Sequence, residues 1–255
     1  MAKIVFVILL CPLFVACDAN KGPSFSPTAP TGINLNREGS AQAQSADVQE
    51  GSAGTANNCG NPNDWVPDDA ALQTCLDKGG NIDLDPGDPG YIVNGLNGDV
   101  TKGLILSRSG TTLRSSRPGR SARIIAGRDL FAGILQTPGS GVENFTVEYI
   151  TFDGMVDEMA TGGPYRRRRD DCIEGRAPGN VFLQGNGFQF RNNESQHAMC
   201  GTGVGLLGGD YNVQNNYISY NGRDKNSGAP GAPWADGMTV LSCEHGYIAH
   251  NVFVD

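Results

Sequence analysis

The chain has 255 residues, a formal net charge of −8, 36 glycines and only 7% aromatic residues. Such acidity argues against a nucleic-acid binder, and long helical apolar patterns are nearly absent. Abundant Gly and Asn instead suit many short strands joined by tight turns.

Residues 1–16 read as a signal peptide. Lys3 supplies a short positive region, and the apolar run 4–14 is too short to span a bilayer. It leads into Phe14-Val15-Ala16-Cys17, which resembles the lipobox of bacterial lipoproteins, with Phe14 where that family usually has leucine. The resemblance implies cleavage before Cys17, lipidation of its thiol, and anchoring to the cell envelope by several acyl chains. The alternative is an ordinary secretory signal and a secreted product. Residues 17–57 are rich in Ser, Ala, Gly, Asn and Thr without periodic apolar positions. Burial cannot offset their ordering entropy, so they are expected to form a flexible linker.

The folded domain is expected over residues 58–255, enough for one sizeable core. Its first element is a helix over residues 66–79, with Pro67, Asp68 and Asp69 in the first turn and Ala71, Leu72, Cys75 and Leu76 as its apolar stripe. Gly79 suits a left-handed C-terminal position. Next comes the alternating segment Asn81-Ile82-Asp83-Leu84, then Asp85-Pro86-Gly87 as a turn, then Tyr91-Ile92-Val93. This opening resembles that of many pectate-lyase-like β-helix proteins. An amphipathic helix there would cover the apolar end of a stack of coils. Short strands are predicted at residues 104–106, 111–113, 123–125, 133–135 and 145–152, each flanked by turn residues.

Residues 180–255 carry a repeat. Aligning Asn186, Asn216 and Asn251 brings Leu183, Val213 and Ile248 into one column and Phe188, Ile218 and Phe253 into another. An earlier copy, Val147 to Phe152, fits the same columns with Ile150 in place of asparagine. The period is about 30 to 35 residues. Repetition on that scale marks stacked units that cannot bury an apolar face alone. From residue 64 onward the chain resembles the right-handed parallel β-helix of the pectin-lyase-like superfamily, with repeats of the type found in many exported bacterial proteins. The fold expected is therefore an all-β solenoid with an N-terminal capping helix. The asparagines read as a structural ladder at a turn. The chain stops at Val254-Asp255 inside a repeat, so further coils are expected beyond it.

Five cysteines fall in the domain, in a compartment that permits disulfides. Cys59 with Cys75, and Cys172 with Cys200, are the plausible pairs, leaving Cys243 as a small buried hydrophobe. No zinc-like Cys/His spacing occurs.

Two excursions interrupt the coils, residues 153–178 and 221–234. Insertions on a solenoid commonly build its binding groove. Residues 102–191 hold thirteen basic and nine acidic side chains, a basic band on an acidic chain. Arg166, Arg167, Arg168, Arg169, Arg176 and Arg191 are candidate contacts for an anionic polymer, and export favours acidic polysaccharide over nucleic acid. The equal alternative is a solvated loop whose Arg run is balanced by Asp170 and Asp171. Trp234 could stack on a sugar ring.

Asp170-Asp171-Cys172, followed by His197 and Cys200-Gly201-Thr202-Gly203-Val204-Gly205, resembles the polygalacturonase pattern, with Val204 where that family has histidine. Phe152-Asp153-Gly154 is the nearest substitute for its Asn-Thr-Asp. Hydrolysis would need two carboxylates flanking the glycosidic bond. A lyase would need a base beside a uronate carboxylate and a cation on the developing enolate. The β-helix resemblance implies an arginine such as Arg169 for the first and calcium held by Asp170, Asp171 and Asp236 for the second. His245 and His250 read as surface or ladder residues. The expectation is an exported, lipid-anchored, monomeric β-helix that binds or cleaves an extracellular polysaccharide. The alternative is a non-catalytic surface or adhesion protein.

Overall fold

The computed structural model describes residues 58–139, 141–155, 179–198, 201–221, 237–242 and 244–254. Among the described residues, helix α1 (Asp69–Lys78) is followed by seventeen short strands that wind through three parallel sheets. The first sheet stacks β1 (Asn81–Leu84), β4 (Thr112–Ser115), β7 (Thr146–Glu148), β10 (Gln189–Arg191), β13 (Asn212–Gln214) and β16 (Tyr247–Ala249). The second stacks β2 (Tyr91–Val93), β5 (Ala122–Ala126), β8 (Ile150–Asp153), β11 (Glu194–Gln196), β14 (Tyr217–Ser219) and β17 (Val252–Val254). The third stacks β3 (Leu104–Ile105), β6 (Leu135–Gln136), β9 (Val181–Asn186), β12 (Val204–Gly209) and β15 (Met238–Val240). Each coil runs through the first, second and third sheet in turn. This is a right-handed parallel β-helix.

The corners explain the sequence. Between the first and second sheets one residue takes a left-handed conformation in each of four coils: Tyr149, Asn192, Asn215 and His250, with φ of 57°, 56°, 55° and 55°. The next residue points inward, and from the second of these coils on it is asparagine. The Asn193 amide accepts the Ile150 N–H at 3.0 Å, Asn216 accepts the Asn193 N–H at 2.9 Å, and Asn251 accepts the Asn216 N–H at 3.0 Å. Their Nδ2 groups donate to the carbonyls of Val147, Phe190 and Val213. A buried corner carries N–H and C=O groups that no ladder reaches, and one side-chain amide per coil satisfies both kinds.

The ladder is therefore Asn193, Asn216 and Asn251, and Asn186 is not its member. Asn186 ends β9 and its side chain accepts the Gly209 N–H. Phe190 takes the column position assigned to Leu183, facing Val213, and Ser195 takes that assigned to Phe188, facing Ile218. The misalignment has a simple cause. A coil without an excursion spans only 23 residues, whereas its neighbours span 35 and 43. The Val147 and Ile150 placements agree with the repeat. The predicted strand over 145–152 is two strands, broken at Tyr149.

Inward columns form the core, as in Leu113, Val147, Phe190 and Val213 of the first sheet. Phe145, Phe188 and Tyr211 stack at successive centroid distances of 5.1 Å. Such contacts contribute about 0.5–1.5 kcal/mol each beyond area burial.

Helix α1 starts later than the apolar pattern suggests, because Pro67 bridges Ile92 and Asp68 pairs with it. The Asp68 N–H donates to the Ile92 carbonyl at 2.7 Å and its carboxylate accepts the Ile92 N–H at 2.9 Å. Asp69 accepts the N–H groups of Asn94 and Gly95. Gln73, buried in place of Ala71, donates to the Ile105 carbonyl and accepts the Ile105 N–H, both at 2.9 Å. The cap thus acts on two groups. Leu72, Cys75 and Leu76 cover the core, while Asp68 and Gln73 stand in for missing strands beside β2 and β3. The Cys59–Cys75 disulfide ties the domain's start to this helix. Cys172, Cys200 and Cys243 lie outside the described residues, as do Cys17 and the whole of 1–57.

Asn216→Ala should lower the unfolding free energy by about 2–4 kcal/mol, since it orphans an N–H and a C=O inside the corner. Asn251→Ala, in a half-buried position, should cost less. Urea denaturation of the two variants checks the order.

Candidate functional site

The outer face of the second sheet ends, at its corner toward the third, in a cluster built on Asp153. Strand register places Ile125, Asp153, Gln196 and Ser219 in one outward column and Arg123, Thr151, Glu194 and Tyr217 in the next. His197 follows β11 at the corner with φ of 54°, and Tyr220 follows β14 with φ of 52°. Their rings stack at 5.8 Å. Gly154 is required here: a Cβ on it would lie 2.2 Å from the His197 carbonyl oxygen and 2.7 Å from the Asn180 side chain.

Four donors converge on Asp153, whose side chain is 2% exposed. Arg123 Nη2 and Gln196 Nε2 each donate to Oδ2 at 2.7 Å. The Met155 N–H donates to Oδ1 at 2.8 Å, and His197 Nδ1 lies 3.1 Å from the same oxygen. Burial alone would raise the carboxyl pKa. The hydrogen bonds from His197 and Arg123, with the Met155 N–H, outweigh burial and hold it down to about 2. An ionised carboxylate can only accept, so His197 Nδ1 carries the proton it shares with Asp153. In the neutral imidazole the lone pair then resides on Nε2. The His197 side chain is 21% exposed.

Of the residues predicted to carry function, the structure brings only His197 into this cluster. Arg191 lies on the first sheet. Its Nε donates to Glu148 at 2.8 Å, and register aligns Asp83, Arg114, Glu148 and Arg191 into an outward column of alternating charge. Arg114 pairs with Asp83 at 2.6 Å in the same way. The Arg114–Asp83 pair is about two-fifths exposed on both sides and contributes little, about 0–1 kcal/mol, whereas Glu148 is only 12% exposed. Arg166, Arg167, Arg168, Arg169, Asp170, Asp171, Arg176, Trp234 and Asp236 lie outside the described residues. His245 and His250 both occupy left-handed corner positions, and His245 faces Asp210 at 3.5 Å on the exposed surface.

Sequence reasoning reached Asp153 only as the nearest substitute for the polygalacturonase Asn-Thr-Asp, and it did not single out Arg123 or Gln196 as site residues. The signal was present: Arg123 and Asp153 are 30 residues apart and Asp153 and His197 are 44 apart, one coil each. Reading it needed the true coil register. Calcium does not fit at Asp153, because four donors already occupy its oxygens. Among the described residues no group of three or more His, Cys, Asp or Glu is arranged to hold a metal ion.

No family model matches this chain, and no match of significance was found among curated proteins or solved structures. The fold and site geometry define the class by themselves: a right-handed parallel β-helix with an Asp–His pair, its carboxylate buried, on its lateral face.

Because its folded pKa is depressed from 3.8, Asp153 contributes stability that is present above about pH 4 and lost as pH falls through about 2. The shift corresponds to about 2 kcal/mol. Asp153→Asn should therefore lower stability at neutral pH and flatten its decline between about pH 4 and 2. Urea midpoints of both proteins across that window would show it, and parallel curves would contradict it.

Proposed function

We propose that this protein is an exported β-helix of the pectin-lyase-like type that engages and cleaves an extracellular acidic polysaccharide, anchored to the cell envelope through Cys17. The observation that carries the reading is the Asp153–His197 pair on the lateral face. A histidine whose Nδ1 is held by a carboxylate can, in its neutral form, act as a base through its other ring nitrogen. In the sequence Asp153 opens the segment 153–178 that carries the Arg run.

At Asp153 and His197 the chemistry favours elimination over hydrolysis. A glycoside hydrolase needs two carboxyl groups with lone pairs or a proton to offer. Asp153 offers neither, being ionised and saturated by four donors. Elimination needs one base and one cation. His197 Nε2 would take the proton beside a uronate carboxylate, and the electron pair would expel the glycosidic oxygen as a carbon–carbon double bond forms. Arginines of the run 166–169 would bind the uronates and stabilise the enolate charge. Asp153 is then a positioning residue, held by Arg123 and Gln196 so that it holds His197.

A second reading, a non-catalytic surface or adhesion protein, takes the same saturation of Asp153 as a corner lock. Ultraviolet detection of unsaturated products on a panel of uronic-acid polymers, with and without calcium, separates the two. Under the lyase reading the absorbance rises with wild type, falls by at least about a hundredfold in His197→Ala, and is kept in Arg191→Ala, whose partner is Glu148. No rise on any polymer would remove the lyase reading and leave the adhesion one.

A further inference from the structure

The corner between the first and second sheets carries an open groove of about 480 Å³, separate from the Asp153 cluster. It crosses four successive coils, from Gly119 and Ser121 through Tyr149 and Asn192–Glu194 to Asn215 and Tyr217. Three strand spacings make it about 14 Å long, parallel to the stack. That length accommodates two or three pyranose units.

Its lining is unusual for a mere turn. The left-handed corner position suits asparagine or glycine, yet one coil places Tyr149 there at φ 57°, a conformation costly for a bulky side chain. The ladder asparagines point inward and are consumed by backbone groups. Asn192 and Asn215, one residue earlier, project into the groove, and neither amide has a partner among the described residues. Tyr217 is 40% exposed, a ring that packing inside the stack does not use. Glu194 keeps one oxygen on the Thr151 hydroxyl at 3.2 Å and presents the other.

We infer that this groove is a binding site for an uncharged glycan, laid along the coil axis across Tyr149 and Tyr217. Tyrosine faces suit the C–H faces of pyranose rings, and each amide offers one acceptor and two donors to neighbouring hydroxyls. The one charged side chain lining the groove is the Glu194 carboxylate, which accepts from hydroxyls and repels uronates or sulfated sugars. The site therefore differs in ligand class from the acidic polymer proposed for the Asp153 face, and it does not depend on that reading. A protein with both would be held on a neutral polymer while acting on uronate-bearing chains.

Affinity electrophoresis through gels containing soluble xylan, glucomannan or mixed-linkage glucan, against polygalacturonate and alginate, tests this with the full folded protein. At least one neutral polymer should retard migration. Tyr217→Ala, at an exposed position, and Asn215→Gly, which keeps the left-handed backbone, should each raise its Kd about tenfold. His197→Ala should leave that retention unchanged, so failure of the cleavage reading and failure of this one are separable. Circular dichroism of each variant verifies the fold. Absence of retardation by every neutral polymer, retardation by uronates alone, or retention unaffected by both groove variants would overturn the inference.

Discussion

Every coil must turn a corner in which backbone N–H and C=O groups are buried and no neighbouring strand is placed to take them. The Asn193–Asn216–Asn251 ladder meets that constraint with one amide per coil. The amide does two jobs: its oxygen receives an N–H from the coil before, and its nitrogen caps a carbonyl in that same coil. The preceding left-handed residue aims the asparagine inward, and the same geometry throws its own side chain outward. Structure and surface chemistry are thus coupled at each corner. The inward partner is used up by the backbone, while the outward one is available to line a groove.

The same logic explains the cap. Parallel strands at the first coil have no predecessor, so their edges would stay open. Gln73 closes β3 with a paired donor and acceptor, and Asp68 closes β2 the same way, using its own N–H and carboxylate. Asp68 bears a cost for this. Burial raises its pKa, and the Ile92 and Asn61 N–H groups only partly offset that. Asp153 shows the opposite balance, because a guanidinium, an imidazole, an amide and a backbone N–H all aim at one carboxylate. Two buried aspartates of one chain are thereby set to different ends, one sealing an edge and one orienting a histidine.

The fold was largely legible in the sequence. Short apolar runs, turn residues, the helix at Leu72–Leu76, the Cys59–Cys75 pairing and the column through Val147 and Ile150 all followed from local chemistry. Asn186 was misplaced because apolar-x-x-Asn occurs both at the end of β9 and at the true corner, and excursions of different length hide which copy matches. The site was less legible. His197 and Asp153 were identified on a different rationale, through a partial polygalacturonase pattern, whereas Arg123 and Gln196 come from separate coils and carry no motif. Arg191 resembled its basic neighbours in composition, yet register sets it against Glu148.

The sequence alone determined the type of fold, since a repeating unit with inward apolar positions and a turn asparagine has one economical way to bury its apolar side: against copies of itself. Which residues meet across coils was decided only by the tertiary structure. Register depends on how many residues each excursion removes from the winding, and no local propensity encodes that number. The Asp153 cluster and the tyrosine-lined corner groove both arise from that register, each joining side chains a coil or more apart along the chain.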